Sequence, residues 1–269
     1  MKNFSQLSAH ESKRIKGILT DIDDTLTENG KLTQEGFEAL WRAKNAGLHV
    51  VPITGRPAGW CDMIARFWPV TGVIGENGAF YFYLQDNKCK RFYVNSPETR
   101  EQNKKKLMKI KEVVLKNHSG VNIASDQAYR EADLAIDFRE EVPDQGFDVA
   151  NSIKKIFESF GAVAKISSIH VNGWFGSYDK LKTTKLFLKN VLALDPENEK
   201  ENFIFFGDSP NDEPMFNYFP LSCGIGNIDK YDSLISKKPA FKSTNAGGKG
   251  VLEVINHILT LRSNERITK

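Results

Sequence analysis

Ile18-Leu19-Thr20-Asp21-Ile22-Asp23-Asp24-Thr25-Leu26-Thr27 is the stretch on which the reading of the fold turns. Lys16 to Ile22 reads as a short buried strand, an apolar run punctuated by Gly17 and closed by Ile22. The carboxylates of Asp21, Asp23 and Asp24 arrive where that strand should end. Like charges this close repel and resist burial, so something must compensate them, and a divalent cation is the simplest candidate. A second reading stays open on this stretch alone: Asp24 and Thr25 begin a turn whose Asp side chains bond to nearby backbone amides.

Outward from that strand the rhythm is regular. Asn29-Gly30-Lys31 marks a turn, and Thr33 is an N-cap for a helix running to about Ala46 with Phe37, Leu40 and Trp41 as its apolar stripe. Leu48 to Ile53 is the next strand. It ends in Thr54-Gly55-Arg56, and Pro57 opens a helix on which Trp60, Ile64 and Phe67 should face inward. Gly72 to Gly75 makes a third strand. This alternation argues for right-handed crossovers and a parallel sheet. The pattern then changes to a hairpin, Ala79 to Tyr83 and Arg91 to Val94, followed by a polar helix with Leu107, Ile110 and Val114, an alternating segment Ala132 to Phe138, and a helix with Phe147, Ile153 and Phe157. Strand-like stretches at Val163 to Ile166 and Ser168 to Trp174 complete an α+β unit inserted in the parallel α/β domain. Beyond Gly176 the crossover rhythm returns, with an apolar strand at Asn202 to Phe206 that ends in Gly207-Asp208-Ser209-Pro210-Asn211-Asp212 and a last helix from Val251. The expected division is therefore 1–16 as an N-terminal arm, 17–85 and 176–269 as the α/β core, and 86–175 as the insertion.

Composition narrows the classes. The chain has 269 residues, 40% hydrophobic and 26% charged, as in an ordinary globular protein. A net charge of +3 is too small to argue for nucleic acid or an anionic membrane as partner. Cys61, Cys89 and Cys223 are scattered and odd in number, without the paired spacing of a zinc or disulfide framework, which suits a reducing compartment. No apolar run approaches the length of a membrane span, and Met1 to Lys16 is polar, without the apolar core of a signal peptide. These features imply a cytoplasmic protein with a loose N-terminal arm. The Lys104-Lys105-Lys106 run, with Lys109 and Lys111, reads as the solvated face of a helix.

Asp21 with Asp23, then Thr54, then Asp208 with Asp212 lie at or just past the ends of three different expected strands, and ligand sites of open α/β sheets form in the crevice at those carboxyl ends. In this order the residues resemble the haloacid dehalogenase-like hydrolases. Asp21-Ile22-Asp23-Asp24-Thr25 is similar to the family's opening DxDxT motif, Thr54 to its second, Lys180 to its third, and Gly207-Asp208-Ser209-Pro210-Asn211-Asp212 to its GDxxxD-type fourth. Lys182 and Lys185 crowd the third motif; Lys180, just after the return from the insertion, is preferred. The insertion lies where class IIB members carry an α/β cap, and Asp24 stands where they often have Gly.

The resemblance implies a Rossmann-like parallel-sheet core with an α+β cap and a phosphotransfer mechanism. Asp21 is the nucleophile, Asp23 the general acid and base, and Thr54 and Lys180 hold the phosphoryl oxygens. Mg²⁺ is held by Asp21, the backbone carbonyl of Asp23, and Asp208, with Asp212 a further ligand. Gly55, Arg56, Asn77 and Asn211 are candidate substrate contacts, with Arg130 and Arg139 as polar candidates for the substrate's remote end. His170 alternates as in a sheet, and both an exposed-face position and one pointing from the cap to the substrate remain open. The implied activity is Mg²⁺-dependent hydrolysis of a small phosphate ester, probing toward a sugar or polyol phosphate. A phosphomutase of the same fold and a non-catalytic sugar-phosphate-binding protein are the alternatives.

Overall fold

Phe203, Ile204, Phe205 and Phe206 build the central strand, Phe203–Gly207, which is buried along its whole length. Ile204 and Phe206 enter one apolar cluster while Phe203 and Phe205 enter another, so both faces of the strand are covered and a continuous apolar run is required. In the computed structural model, which describes residues 1–263, this strand lies inside a six-stranded sheet. The spatial order is Lys2–Asn3, Phe241–Lys242, Leu221–Gly224, Phe203–Gly207, Gly17–Thr20 and His49–Pro52, and every neighbouring pair is parallel. Phe206 stands opposite Thr20, and Thr20 opposite Pro52, so the residues that follow these strands emerge along one edge. Helices Gln34–Asn45 and Gly247–Ser263 cover one face through Leu40, Ala43, Val254 and Ile258; helices Lys180–Asn190 and Glu213–Tyr218 cover the other through Phe187 and Phe216.

Two local expectations are corrected. On helix Ala58–Phe67 the buried face is Ala58, Cys61, Ile64 and Ala65, while Trp60 and Phe67 are exposed. The inward face therefore carries small residues that let the helix approach the sheet, and Trp60 lies on its flank with the Arg56 guanidinium 4.6 Å from its ring centre. The N-terminal arm is not loose. Lys2–Asn3 adds an edge strand beside Phe241–Lys242, Leu7 is buried, and Ser8 with Glu11 forms a reciprocal capping box at the start of helix Ala9–Arg14.

Val73–Gly75 extends the core through a parallel bridge between Ile53 and Ile74, and continues as an antiparallel sheet with Phe80–Gln85 and Lys88–Tyr93. Those last two strands pair from Phe80–Tyr93 to Gln85–Lys88, so a division of the chain after Gln85 runs through a hydrogen-bonded hairpin. We propose instead that the chain crosses between its two units near Asn95 and Phe175, where the Asn95 and Asn103 amides donate to the Phe175 carbonyl. Between those points lies a four-stranded antiparallel sheet, Val163–Ile166, His170–Trp174, Asp133–Asp137 and Asn122–Ile123. Leu134, Ile136 and Val171 on one of its faces pack against Leu107, Ile110 and Val114 of helix Pro97–Asn117 and Ile153 and Phe157 of helix Gly146–Ser159. The other face carries Asp133, Asp137, His170 and Asn172 and turns toward the carboxyl edge of the core sheet. Lys104, Lys105, Lys106 and Lys109 are exposed, and Cys61, Cys89 and Cys223 are free thiols. Among the described residues no helix is long and apolar enough to cross a membrane.

Candidate active site

Asp21 leaves its strand with its amide bonded to the Phe206 carbonyl, which sets it beside the end of the central strand. Lys180, at the start of its helix, reaches the same place. Its Nζ lies 3.0 Å from Asp21 Oδ1 and 2.8 Å from Asp212 Oδ1. Gly78 allows this helix to close in, since a Cβ there would meet the Asp179 carbonyl oxygen at 2.3 Å. Lys182 is exposed and pairs with Asp179, and Lys185 pairs with Glu197, so neither approaches Asp21 as Lys180 does. Asp208 accepts from Thr25 Oγ1 at 3.1 Å and from Asn227 Nδ2 at 3.1 Å, while Asp212 Oδ2 accepts from the Asp208 amide. Asp24 has φ of 56°, the left-handed region that glycine enters most freely and Asp tolerates, and Asn227 Nδ2 steadies the turn by donating to its carbonyl.

Carboxylate oxygens of Asp21, Asp208 and Asp212 lie within 4.8 Å of one another, all buried. Burial pushes the Asp21 carboxyl up to about 7; Lys180 opposes the rise, and the charges of Asp212 and Asp23 add to it. Asp208 is likewise raised well above the usual range, first by burial and then by Asp212, Asp21 and Asp24. Burial alone would lower the Lys180 ammonium, but Asp21 and Asp212 outweigh it and hold the charge on. One buried cation thus faces three carboxylates. That all-oxygen donor set fits a hard divalent cation such as Mg²⁺, with waters completing its shell, and Asp21, Asp208 and Asp212 would hold it. The Asp23 side chain takes no part in the trio.

Asp23 instead meets Arg56, whose Nε and Nη2 reach its Oδ1 at 3.0 and 2.9 Å. The same Nη2 donates to Glu140 of the inserted unit at 2.8 Å, and Glu140 Oε2 lies 2.8 Å from His170 Nε2. Burial pushes the Glu140 carboxyl up, but bonds from His170 and Arg56 overcome it and hold the group at about 2. Thr54 is buried, and its hydroxyl oxygen accepts the Arg56 amide. Asn77 donates its amide to the Thr54 carbonyl, and its buried Nδ2 has no partner among the described residues; it lies 3.2 Å from where a Cβ on Gly55 would stand. A small cavity opens over these groups, lined from the core by Asp21, Asp23, Gly55, Arg56 and Asn211 and from the insertion by Ser167–Ile169, His170 and Asn172. His170 is therefore covered, not on a solvent face. Arg130 reaches the Gly55 carbonyl, and Arg139 pairs with Asp144 at the cavity's outer mouth.

A family model described as haloacid dehalogenase-like hydrolase matches residues 18–255. The chain belongs to the haloacid dehalogenase-like hydrolases. It is, on that footing, an enzyme. It is 26% identical over 254 residues to a phosphoglycolate phosphatase of Methanobrevibacter smithii, covering 90% of this chain and 97% of that protein. A second phosphoglycolate phosphatase, of Thermoplasma acidophilum, is 28% identical over 198 residues, covering 73% of this chain and 78% of that one. Among solved structures, one from Thermoplasma acidophilum superposes with a TM-score of 0.70 at 22% identity over 91% of this chain and 98% of that one. The sucrose-phosphatase of Synechocystis sp., solved with sucrose and phosphate, superposes at 0.62 with 14% identity over 91% and 98%. These structural likenesses carry the fold.

Within this haloacid dehalogenase-like hydrolase, several site residues escape a reading by motif. Asn227 follows the end of strand Leu221–Gly224, and the rule that located Asp21 and Asp208 at strand ends would have reached it. Glu140 carries no such signal. It sits in a turn after strand Asp133–Asp137, where Asp137 accepts the amides of Arg139, Glu140 and Glu141 and so aims the carboxylate inward. Glu76, also unmarked in sequence, is fully buried in the core and accepts amides from Ala58 on the core side and from Glu131, Ala132 and Asp133 on the insertion.

Proposed function

We propose that this protein is a Mg²⁺-dependent phosphomonoesterase acting on a small phosphorylated metabolite. The observation that carries the reading is the meeting of Asp21, Asp208 and Asp212 around Lys180, with Asp23 held beside them by Arg56. Asp21 attacks phosphorus and forms an aspartyl-phosphate as the P–O bond to the alcohol breaks. Asp23 gives its proton to the departing alkoxide oxygen, then takes one from the water that attacks the aspartyl-phosphate and returns Asp21 as carboxylate; such proton transfer is worth about 10²–10⁴-fold. Lys180 and the Thr54 hydroxyl bind phosphoryl oxygens, and Asn77 and Asn211 offer further hydrogen bonds. A bound Mg²⁺ would add neutralisation of phosphoryl charge. The inserted unit acts as a cap that excludes bulk water. Phosphatase names among the relatives and the covering of the site by the inserted unit support a small ester.

Phosphate release from sugar phosphates, polyol phosphates, phosphoglycolate and p-nitrophenyl phosphate, with Mg²⁺ and with chelator, tests the reading. Metal-dependent release abolished by Asp21→Asn is expected. A folded protein that binds Mg²⁺ and releases phosphate from none of them would contradict it, and isomerisation of a sugar phosphate without free phosphate would make it a mutase.

A further inference from the structure

We propose that Glu140 of the cap is a specificity-determining residue: by neutralising Arg56 it shuts the outer part of the cavity to a second anionic group and favours substrates whose body carries neutral hydroxyls. The inference rests on the phosphatase reading of the same site.

The cationic side chains around the cavity and its mouth are already matched to carboxylates. Arg56 is shared between Asp23 and Glu140. Arg130 spends Nε and Nη2 on Asp126 and Nη1 on Asp133 and the Gly55 carbonyl. Arg139 pairs with Asp144, and Lys180 with Asp21 and Asp212. The polar residues left to meet the substrate's body are Ser167, Ser168 and Asn172, with His170 beside them paired to Glu140. Glu140 is not a mobile surface acid. Its turn is pinned by three amides on Asp137, and its two oxygens are divided between Arg56 and His170. A substrate carboxylate entering beside Glu140 meets its charge where Arg56, Arg130 and Arg139 are already engaged, and like charges at such separations repel appreciably in a partly buried site. A hydroxyl in the same place donates to the Glu140 carboxylate, a charge-assisted bond. Phosphoglycolate, which names the relatives' activity, belongs to the disfavoured class.

The test compares 2-hydroxyethyl phosphate with phosphoglycolate, which differ by CH₂OH against COO⁻, in steady-state kinetics with Mg²⁺ on the full chain. The wild type should favour the neutral ester in kcat/KM by at least about tenfold, the size of discrimination a single well-placed group supplies. Glu140→Asp, which keeps the charge, should retain that preference, and Glu140→Gln should lower the ratio by about tenfold. The ratio does not depend on the fraction of protein folded, so a damaged variant still reports. A wild type that favours phosphoglycolate overturns the substrate inference; a ratio unmoved in Glu140→Gln overturns the role of Glu140. Turnover of p-nitrophenyl phosphate by the wild type separates the two levels: activity without charge discrimination sinks only this proposal, and no activity on any ester sinks the phosphatase reading beneath it.

Discussion

Asp208 is held in place by Thr25 and Asn227 yet repelled by Asp212 and Asp21, and among the described residues Lys180 is the one cation within this group. Removing its charge should therefore relieve the metal-free protein. Asp208→Asn is expected to melt higher than wild type in chelator by roughly 2–6 °C, for about 1–2 kcal/mol of repulsion removed from a chain of this size. The same variant should lose most of the Mg²⁺-induced stabilisation, which for wild type is about 2.7 kcal/mol at a hundredfold excess over Kd. Melting curves with Mg²⁺ and with EDTA read both effects, and a variant that melts lower in EDTA would mean the carboxylate is held by bonds stronger than the repulsion. The acids of this trio are legible in sequence because each stands in a motif at a strand end. Lys180 was not separable from Lys182 and Lys185 by residue type alone; what distinguishes it is burial at the first turn of a helix whose N-cap, Asp179, turns that face toward Asp21. Glu140 and Asn227 are single polar residues in turns, and nothing in their neighbours tells a solvated side chain from one covered by a second unit.

The parallel order of strands could be anticipated from their continuous apolar runs, and the inserted unit from the change of period after Gly78. Contacts between elements distant in sequence could not. Trp60 and Phe67 satisfy the helical period as well as Cys61 and Ala65 do, and only the close approach of the helix to its neighbours selects the small residues for the interior. The N-terminal arm shows the same limit. Leu7 is a lone apolar residue in a polar stretch, but the Ser8–Glu11 capping box fixes the helix behind it, and helix Ala9–Arg14 docks beside helix Gly247–Ser263. Leu7→Ala should cost about 2–5 kcal/mol, as truncation of a buried leucine does. Two strands separate its edge strand from Phe203–Gly207 in the sheet, so kcat/KM is expected to stay within about twofold of wild type. Urea unfolding beside steady-state kinetics checks the pair of outcomes; a loss of activity in fully folded protein would tie the arm to the site.

Core and cap are joined by more than the chain's two crossings. Glu76 binds three successive cap amides, Arg130 returns a bond to the Gly55 carbonyl, and Glu140 closes on Arg56 over the cavity. The Glu140 pair also makes this closure sensitive to acid. Its carboxyl lies near 2 in the folded protein against an ordinary 4.5, so the folded state binds the proton less readily than the unfolded chain. The stabilisation is therefore complete above about pH 4.5 and lost as pH falls from there toward 2. Partial exposure of the carboxylate screens it, and a contribution of about 1 kcal/mol is the reasonable scale. Wild type should accordingly exceed Glu140→Gln in unfolding free energy by about that amount at pH 6, with the gap visibly narrower at pH 3.5. Urea titrations of both proteins at the two pH values measure it. A gap that stays constant would mean that Glu140 acts through the shape of its turn on Asp137, and that the charge pair across the cavity adds nothing to holding cap and core together.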